Sequence, residues 1–504
     1  MSTVAGADED PGWLRIDPRT VLVTALVTAG VAAGAAVPAV VALSGRFGFP
    51  RAVGWALAGA ALLIGCAAAG DYVRWRRTRY RVGTVRVDLR TGLLLVKRRS
   101  LARERIRSVD LTAHPLLRIL GLVTVRIGTG EHTGGESTLE LDPVTRAEGE
   151  RLRRELLGRV TAQTPGTHRE GELAVLDLRW IRYAPVSFVA PMLGGAAAGG
   201  VLQVSEWVGA QGEVIDWVAD RFRDTPLLWT VVALAVTALA AGIVGALGLW
   251  VEMWWNYRLE REPGGTLRVR RGLLTSRSLS VEERRLRGVE LVEPLGVRLF
   301  GAARVDAITT GVAKDEQARG ADHHTLLPAA PRPVADSIAA EVLREPAAPT
   351  GAPLTAHPRS ARGRRLRRAL AAVLVPVLVL ALLGVLLTPV LLWTALVCAV
   401  VCLPLAVPAA LDAYRSLGHT VAGDYLVTRS GSLRRSTAAL QRTGVIGWTV
   451  RQSCFQRRAG LLSVTATTAA GGGAYTAYDT DASEGLTFAA EAVPGLLEPF
   501  LERG

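Results

Sequence analysis

The sequence predicts an α+β integral membrane protein with six transmembrane helices in three hairpins, each hairpin followed by a strand-rich unit closed by one helix. Three observations predict it: long charge-free apolar runs, alternating apolar and polar segments between them, and a glycine spacing that recurs three times. The 504 residues are 49% hydrophobic with a mean hydropathy of +0.27, high for a soluble chain. The expected organisation is an N-terminal tail (1–18), hairpins at 19–71, 181–255 and 362–412, strand-rich units at 72–162, 256–347 and 413–504, and linkers at 163–180 and 348–361.

The charge-free runs are Thr20–Gly45, Ala52–Gly70, Tyr183–Ser205, Thr225–Val251 and Ala369–Leu411. About 20 apolar residues in a helix cross the hydrocarbon core. The last run is twice that length, and Thr388-Pro389 at its middle predicts a tight turn between two helices. No run has the polar face of a helix buried against a soluble core.

Arginine asymmetry predicts orientation. "RWRRTRYR" follows the first hairpin and "RSARGRRLRR" precedes the third, whereas the loop inside the second hairpin is acidic and tryptophan-bearing. The strand-rich units and both termini are therefore expected at the cytoplasmic face of the plasma membrane. Arg46 and Arg51 in the first hairpin loop run against this rule. The net charge of +14 is almost all arginine, with only Lys97 and Lys314 as lysines, a bias that fits a GC-rich, actinobacterial genome. The acidic N-terminal stretch lacks the basic region of a secretory signal.

Each hairpin is followed by an aromatic-arginine start: "RYRVGTVRVDLRTGLLL" from Arg79, "NYRLEREPGGTLRVRRGLL" from Asn256 and "AYRSLGHTVAGDYLVTRSGSL" from Ala413. A first glycine (Gly92, Gly272, Gly431) is followed 29 residues later by a second (Gly121, Gly301, Gly460). An arginine stands three residues before the second glycine each time, at Arg118, Arg298 and Arg457. "TVRVDL", "TLRVRR" and "LVTVRIGTG" alternate with strand period, and glycine turns separate them. "TRAEGERLRRELLGRV" then places Leu152, Leu156 and Val160 on one helical face. Strands closed by one helix in about 90 residues predict a small β-barrel or sandwich.

With these features the chain resembles the bacterial membrane-flanked domain family, the second type of bacterial pleckstrin-homology-like domain. The aromatic-arginine start, the "GLL" turn, "RIRSVDL" and the arginine-glycine corner carry the resemblance, which covers the chain outside its tails and linkers. It implies two packed antiparallel sheets capped by a C-terminal helix, and an association with cell-envelope and stress roles; a helper role in export or envelope-stress tolerance is a rival reading for this chain. It implies no activity, and no headgroup motif of the eukaryotic relatives is matched.

No catalytic, metal or cofactor site is expected. Phosphate-loop, nucleophile-elbow and zinc spacings are absent from the sequence. His323-His324 beside Asp322 lacks zinc-ligand spacing. Cys66, Cys398 and Cys402 lie in apolar runs, where a thiol behaves as a small hydrophobe. Candidate contacts to anionic lipid or a protein partner are Arg74, Arg76, Arg77 and Arg79, then Arg362, Arg364, Arg365, Arg367 and Arg368, each worth about 1 kcal/mol near an anionic surface. In the third repeat Phe455, Gln456 and Arg458 differ from the other copies and are candidates for contacts special to it. Nucleic acid is not an expected partner, because the basic runs abut the membrane. The expected role is a non-enzymatic scaffold that recognises proteins, peptides or headgroups. The alternative is a transporter or transport accessory subunit, against which stands the lack of ionisable residues in the runs.

Overall fold

The computed structural model describes residues 12–92, 97–106, 108–128, 138–157, 171–187, 189–207, 209–310 and 324–497. Asp322, His323 and Val160 lie outside them, as does most of the turn after Gly92. The chain divides into two compact units, the first reaching Val281 and the second beginning at Glu282. The division falls inside the second repeat.

Among the described residues five helices are long and apolar enough to cross a membrane: Arg19–Phe47, Phe49–Arg77, Leu227–Trp254, Arg359–Leu386 and Pro389–Arg415. Side chains such as Leu62, Val385 and Leu386 stay exposed on them. Prolines start the returning helices. Pro50 sits in the first turn of one, and Pro389 opens the other after an extended Thr388. At these positions the missing N–H costs nothing.

The run predicted as Tyr183–Ser205 behaves differently. Leu178–Tyr183 forms a short 3-10 turn, with Arg179 N–H donating to the Asp177 carboxylate at 2.9 Å and with Trp180 and Tyr183 buried. The described helix covers Val189–Trp207, 19 residues that include Gln203 and Glu206. By length and composition it falls short of the other five. It lies against Leu227–Trp254 at unusually close range. A Cβ on Gly194 would stand 2.1 Å from the Ala238 carbonyl oxygen, and one on Gly242 would stand 2.0 Å from that of Ala190. Small residues that let backbones approach are the usual device of helix packing in lipid.

In the first unit, strands Leu14–Arg15, Arg79–Val82, Arg86–Thr91 and Lys97–Ala102 form a four-stranded sheet. Strands Ser108–Ala113, Leu122–Gly128 and Thr138–Thr145 pair antiparallel in a second. Tyr80 and Leu89 from one sheet, Val109, Val125 and Leu141 from the other, and Leu152 from helix Arg146–Leu157 share one core. Repeat one is thus the expected two-sheet sandwich closed by a helix.

The second sheet does not stop at the repeat. Its edge strand Ser108–Ala113 pairs antiparallel with Ser276–Glu282 of repeat two, matching Ala113 to Ser276, Thr112 to Arg277 and Leu111 to Ser278. The sheet then continues through Thr266–Arg271, Arg258–Glu262 and Gly171–Val175 to seven strands. Arg153, on the repeat-one helix, donates to Glu262 at 2.9 and 3.0 Å and to Ser280 at 3.0 Å. Arg268 joins Glu262 at 3.0 Å and Glu150 at 2.6 Å. These arginines are buried, and the carboxylates beside them are held below their ordinary range by the guanidinium partners despite the opposing effect of burial.

The second unit repeats the arrangement. Leu286–Pro294 of repeat two pairs with Arg434–Gln441 of repeat three over seven positions, including Val292 to Ser436 and Glu293 to Arg435. The sheet runs from Thr325–Pro331 and Ala302–Thr309 across this seam to Tyr425–Ser430 and Gly418–Ala422. Buried Glu293 accepts from Arg435 and Arg332, each at 2.8 Å. Strands Val445–Arg451, Leu461–Thr468 and Ala474–Asp481 form the last sheet, and helix Ala482–Ala492 closes it. Leu440, Ala466 and Phe488 meet in its core.

Both seams use one register. Thr112 and Val292 each stand nine residues before their repeat's second glycine, and Arg277 and Ser436 each stand five after its first. The pairs Thr112–Arg277 and Val292–Ser436 are therefore the same contact made twice.

Candidate functional site

The repeat-defining glycines are conformational. The first-glycine φ values are 148° (Gly92), 111° (Gly272) and 104° (Gly431), and the second-glycine values are 71° (Gly121), 67° (Gly301) and 65° (Gly460). These angles favour glycine over any L side chain. The carbonyl of each second glycine accepts the first N–H of the closing helix, from Arg146 at 3.0 Å, Arg332 at 2.9 Å and Ala482 at 3.1 Å. The corner thus fixes where the strand leaves and where the helix starts.

Counting strand pairs back from the first glycine changes the third repeat's start. Tyr80 pairs with Leu89, Leu259 with Val269 and His419 with Thr428, and each partner lies three residues before its glycine. Tyr80, Leu259 and His419 are therefore equivalent, whereas Tyr414-Arg415 is still helical. The apparent third aromatic-arginine start is a helix end. Two further residues, Ser416 and Leu417, precede its strand, which begins at Gly418.

Beyond each apolar run the outgoing helix carries a carboxylate in its last turns: Asp71, Glu252 and Asp412. Glu252 accepts from the N–H groups of Leu274 at 2.8 Å and Thr275 at 2.9 Å, in the turn that follows Gly272. Asp412 accepts from the Ser432 hydroxyl at 3.0 Å, in the turn that follows Gly431. Asp71 is buried and accepts from Thr24 of the preceding helix and from Arg74, both at 2.8 Å. In repeats two and three a carboxylate thus clamps the turn between the second and third strands to the foot of its helix.

The arginines of the corner reach forward. Arg118 donates to the Leu273 carbonyl, beside the turn that Glu252 holds. Arg298 donates to Asp412 at 2.8 Å. Each joins the corner of one repeat to the helix foot or turn of the next. The side chain of Arg457 is exposed.

The basic run before the third hairpin is partly consumed internally. Arg364 and Arg365 both bind Asp479, the latter at 3.0 Å. Asp479 is fully buried and has a φ of 55°. Gln456 also donates to Asp479, at 3.0 Å, and to Ser463 at 2.9 Å, while forming a capping box with Ser453. Gln456 occupies the position of core residues Leu117 and Val297, and it is as buried as they are. Arg362, Arg367, Arg368, Arg76, Arg77 and Arg79 are exposed, as are Phe455 and Arg458. Arg74 pairs with Asp71.

A histidine pair lies beside Asp479. His357 Nδ1 is 3.2 Å from the Asp479 carbonyl oxygen, and His357 Nε2 is 3.1 Å from His419 Nδ1. The carbonyl can only accept, so His357 donates from Nδ1, and His419 donates to its Nε2. This assignment holds for two neutral rings, the form that burial favours. Burial lowers both pKa values, and with the neighbouring His357 it brings His419 to about 4. Tyr414 donates to the His357 carbonyl at 2.9 Å, which ties the linker to the helix end.

Sequence reading missed Asp479, the histidine pair and the clamping carboxylates. The clamps left a signal, an acid 19 to 21 residues before each first glycine. The role of Asp479 left none, because its partners are distant in sequence. Among the described residues no group of three or more His, Cys, Asp or Glu is placed to hold a metal.

The family model described as "Bacterial PH domain" matches residues 27–160, 212–346 and 369–490. A relative, "UPF0699 transmembrane protein YdbT" of Bacillus subtilis (strain 168), is 21% identical over 267 residues. That match covers 50% of this chain and 54% of the relative, so it spans about half of each. No solved structure matches the chain.

Proposed function

Because the chain belongs to the bacterial PH domain family in a three-copy form, we propose that it is a non-enzymatic scaffold of the plasma membrane that presents its PH-like units at the cytoplasmic face to protein, peptide or headgroup partners. Six helices in three hairpins carry the units, with Val189–Trp207 held in the membrane against Leu227–Trp254 by the Gly194 and Gly242 contacts. The observation that supports the reading best is the pair of carboxylate clamps at Glu252 and Asp412. A tight tether suits a module that must be presented at a fixed height above the bilayer. Exposed Arg76, Arg79, Arg362, Arg367 and Arg368 flank the helix feet, where each would gain about 1 kcal/mol from anionic lipid. Leu274, Leu299, Phe300 and Leu433 are exposed apolar tips at these turns and corners, suited to the interfacial layer.

The native thiol of Cys454 is free and exposed and so reports the side of the membrane directly. With Cys66, Cys398 and Cys402 replaced by serine, a membrane-impermeant maleimide should label inverted vesicles and leave intact cells unlabelled. Labelling of intact cells would reverse the proposed orientation. Co-flotation of the full chain's soluble fragments is not needed for the lipid arm: the reconstituted chain should show a defined annulus of anionic lipid that shrinks when Arg362, Arg367 and Arg368 become glutamine.

A further inference from the structure

We propose that the outer edge of Val445–Arg451 is a docking site for one strand of a different polypeptide that carries the same PH-like unit. The proposal rests on the scaffold reading above and names the class of partner. Val445–Arg451 is the edge strand of the last sheet, and on its inner side it pairs with Leu461–Thr468. Among the described residues its outer side has no strand partner. The equivalent edges in repeats one and two, Ser108–Ala113 and Leu286–Pro294, are each covered by the third strand of the next repeat. The chain therefore makes this contact twice internally and presents the same edge a third time.

Side-chain exposure follows the contact. Leu111, Leu291 and Val450 stand ten residues before their second glycines. The first two are 6% and 0% exposed, whereas Val450 is 41% exposed. Ile446 on the same strand is 64% exposed. Trp448, at the position of buried Val109 and Val289, has a buried indole N–H without an acceptor. Arg457, whose counterparts Arg118 and Arg298 reach into the following repeat, is exposed at the adjoining corner. Unpaired strand edges of this kind are templates for another strand.

Charge selects the occupant. Among the described residues the chain carries one third strand at a sheet edge, Lys97–Ala102. In the register of both internal seams, a second copy would set Lys97 opposite Arg451 and Arg98 opposite Val450. Like charges directly opposite disfavour pairing. The longer internal seam does the reverse, with Arg435 opposite Glu293. The strand that fits here is neutral or acidic opposite Arg451, and it belongs to another protein of this domain type rather than to a second copy.

The test uses the full chain in its native membranes, with a photo-crosslinking residue at Ile446 or Val450 and, as control, at exposed Tyr478 of strand Ala474–Asp481. The expected result is capture of a PH-like-domain protein at Ile446 and Val450, with the crosslink mapping to the third strand of its first sheet. Arg451→Glu should weaken capture about tenfold if the partner strand is acidic there and leave it unchanged if neutral, and Ile446→Lys should weaken it about tenfold in either case. Both residues are exposed, so the variants should fold, and unchanged melting of the purified chain checks this. Capture of a second copy, of an unrelated protein, of lipid alone, or of nothing above the Tyr478 background would overturn the proposal. Capture of an unrelated protein would still leave the scaffold reading standing.

Discussion

Arg298 donates to Asp412 at 2.8 Å, although the two residues are 114 positions apart and belong to different repeats. Asp412 in turn holds Ser432 in the turn between the second and third strands of repeat three. A corner, a membrane helix and a strand turn are thereby fixed to one another by a single partly buried carboxylate. Arg118 makes the corresponding reach to Leu273. The three corner arginines are alike in sequence position and unlike in what they touch.

Substitution should separate them. Arg298→Ala leaves Asp412 without its charged partner and should cost about 1–3 kcal/mol. Arg118→Ala should cost about 1 kcal/mol, because its acceptor is a neutral carbonyl. Arg457→Ala should lie within about 0.5 kcal/mol of the parent. Thermal melting of the detergent-purified chain measures all three. Equal losses would show that the corner arginine acts within its own repeat.

The Glu252 clamp makes a local prediction. Glu252→Ala removes the acceptor of two backbone N–H groups, at Leu274 and Thr275. Amide hydrogen exchange at these positions should speed up by about one to two orders of magnitude, corresponding to about 1–3 kcal/mol. Exchange in strand Leu122–Gly128 should stay as it was.

Acid should loosen the third unit's linker. His419 is held neutral with its pKa lowered to about 4 from an ordinary 6.5. Because the folded value is depressed, its contribution is complete above the ordinary value and disappears as pH falls through the folded one. Stability should therefore drop between about pH 6.5 and 4, by about 3 kcal/mol from this ring alone. His419→Phe, which keeps a ring beside Phe488 and His357, should flatten melting temperature against pH in that window. An unchanged slope would assign the acid sensitivity to other groups.

Contact between helices Val189–Trp207 and Leu227–Trp254 depends on two glycines. Gly242→Leu cannot be accommodated while a Cβ lies 2.0 Å from the Ala190 oxygen. The two helices should separate, and the melting temperature of the detergent-purified chain should fall. If melting is unchanged, these helices do not meet as described.

Much of the architecture was legible because it is set by local chemistry. Apolar length marks the spanning helices. The turn at Pro389 follows from proline geometry, and the positive φ angles of Gly92, Gly272 and Gly431 follow from glycine's lack of a Cβ. Leu461 and Val464 are both buried, but in different clusters, Leu461 with Ala361 and Leu417 and Val464 with Leu462 and Ala489, so alternation alone does not account for the pair. The start of the third strand set was misread at Tyr414, because an aromatic-arginine pair looks the same at a helix end and in a strand.

What the tertiary structure decided is which segments belong together. Sequence similarity cuts the chain into three repeats, whereas hydrogen bonding joins the second sheet of each repeat to the first sheet of the next. That offset has no local signature, since a strand's alternation records which face is buried and not which neighbour covers its edge. The same holds for Arg364, Arg365 and Gln456. In sequence they are a basic run and a polar substitution, and only the fold brings them onto Asp479, whose buried charge needs all three.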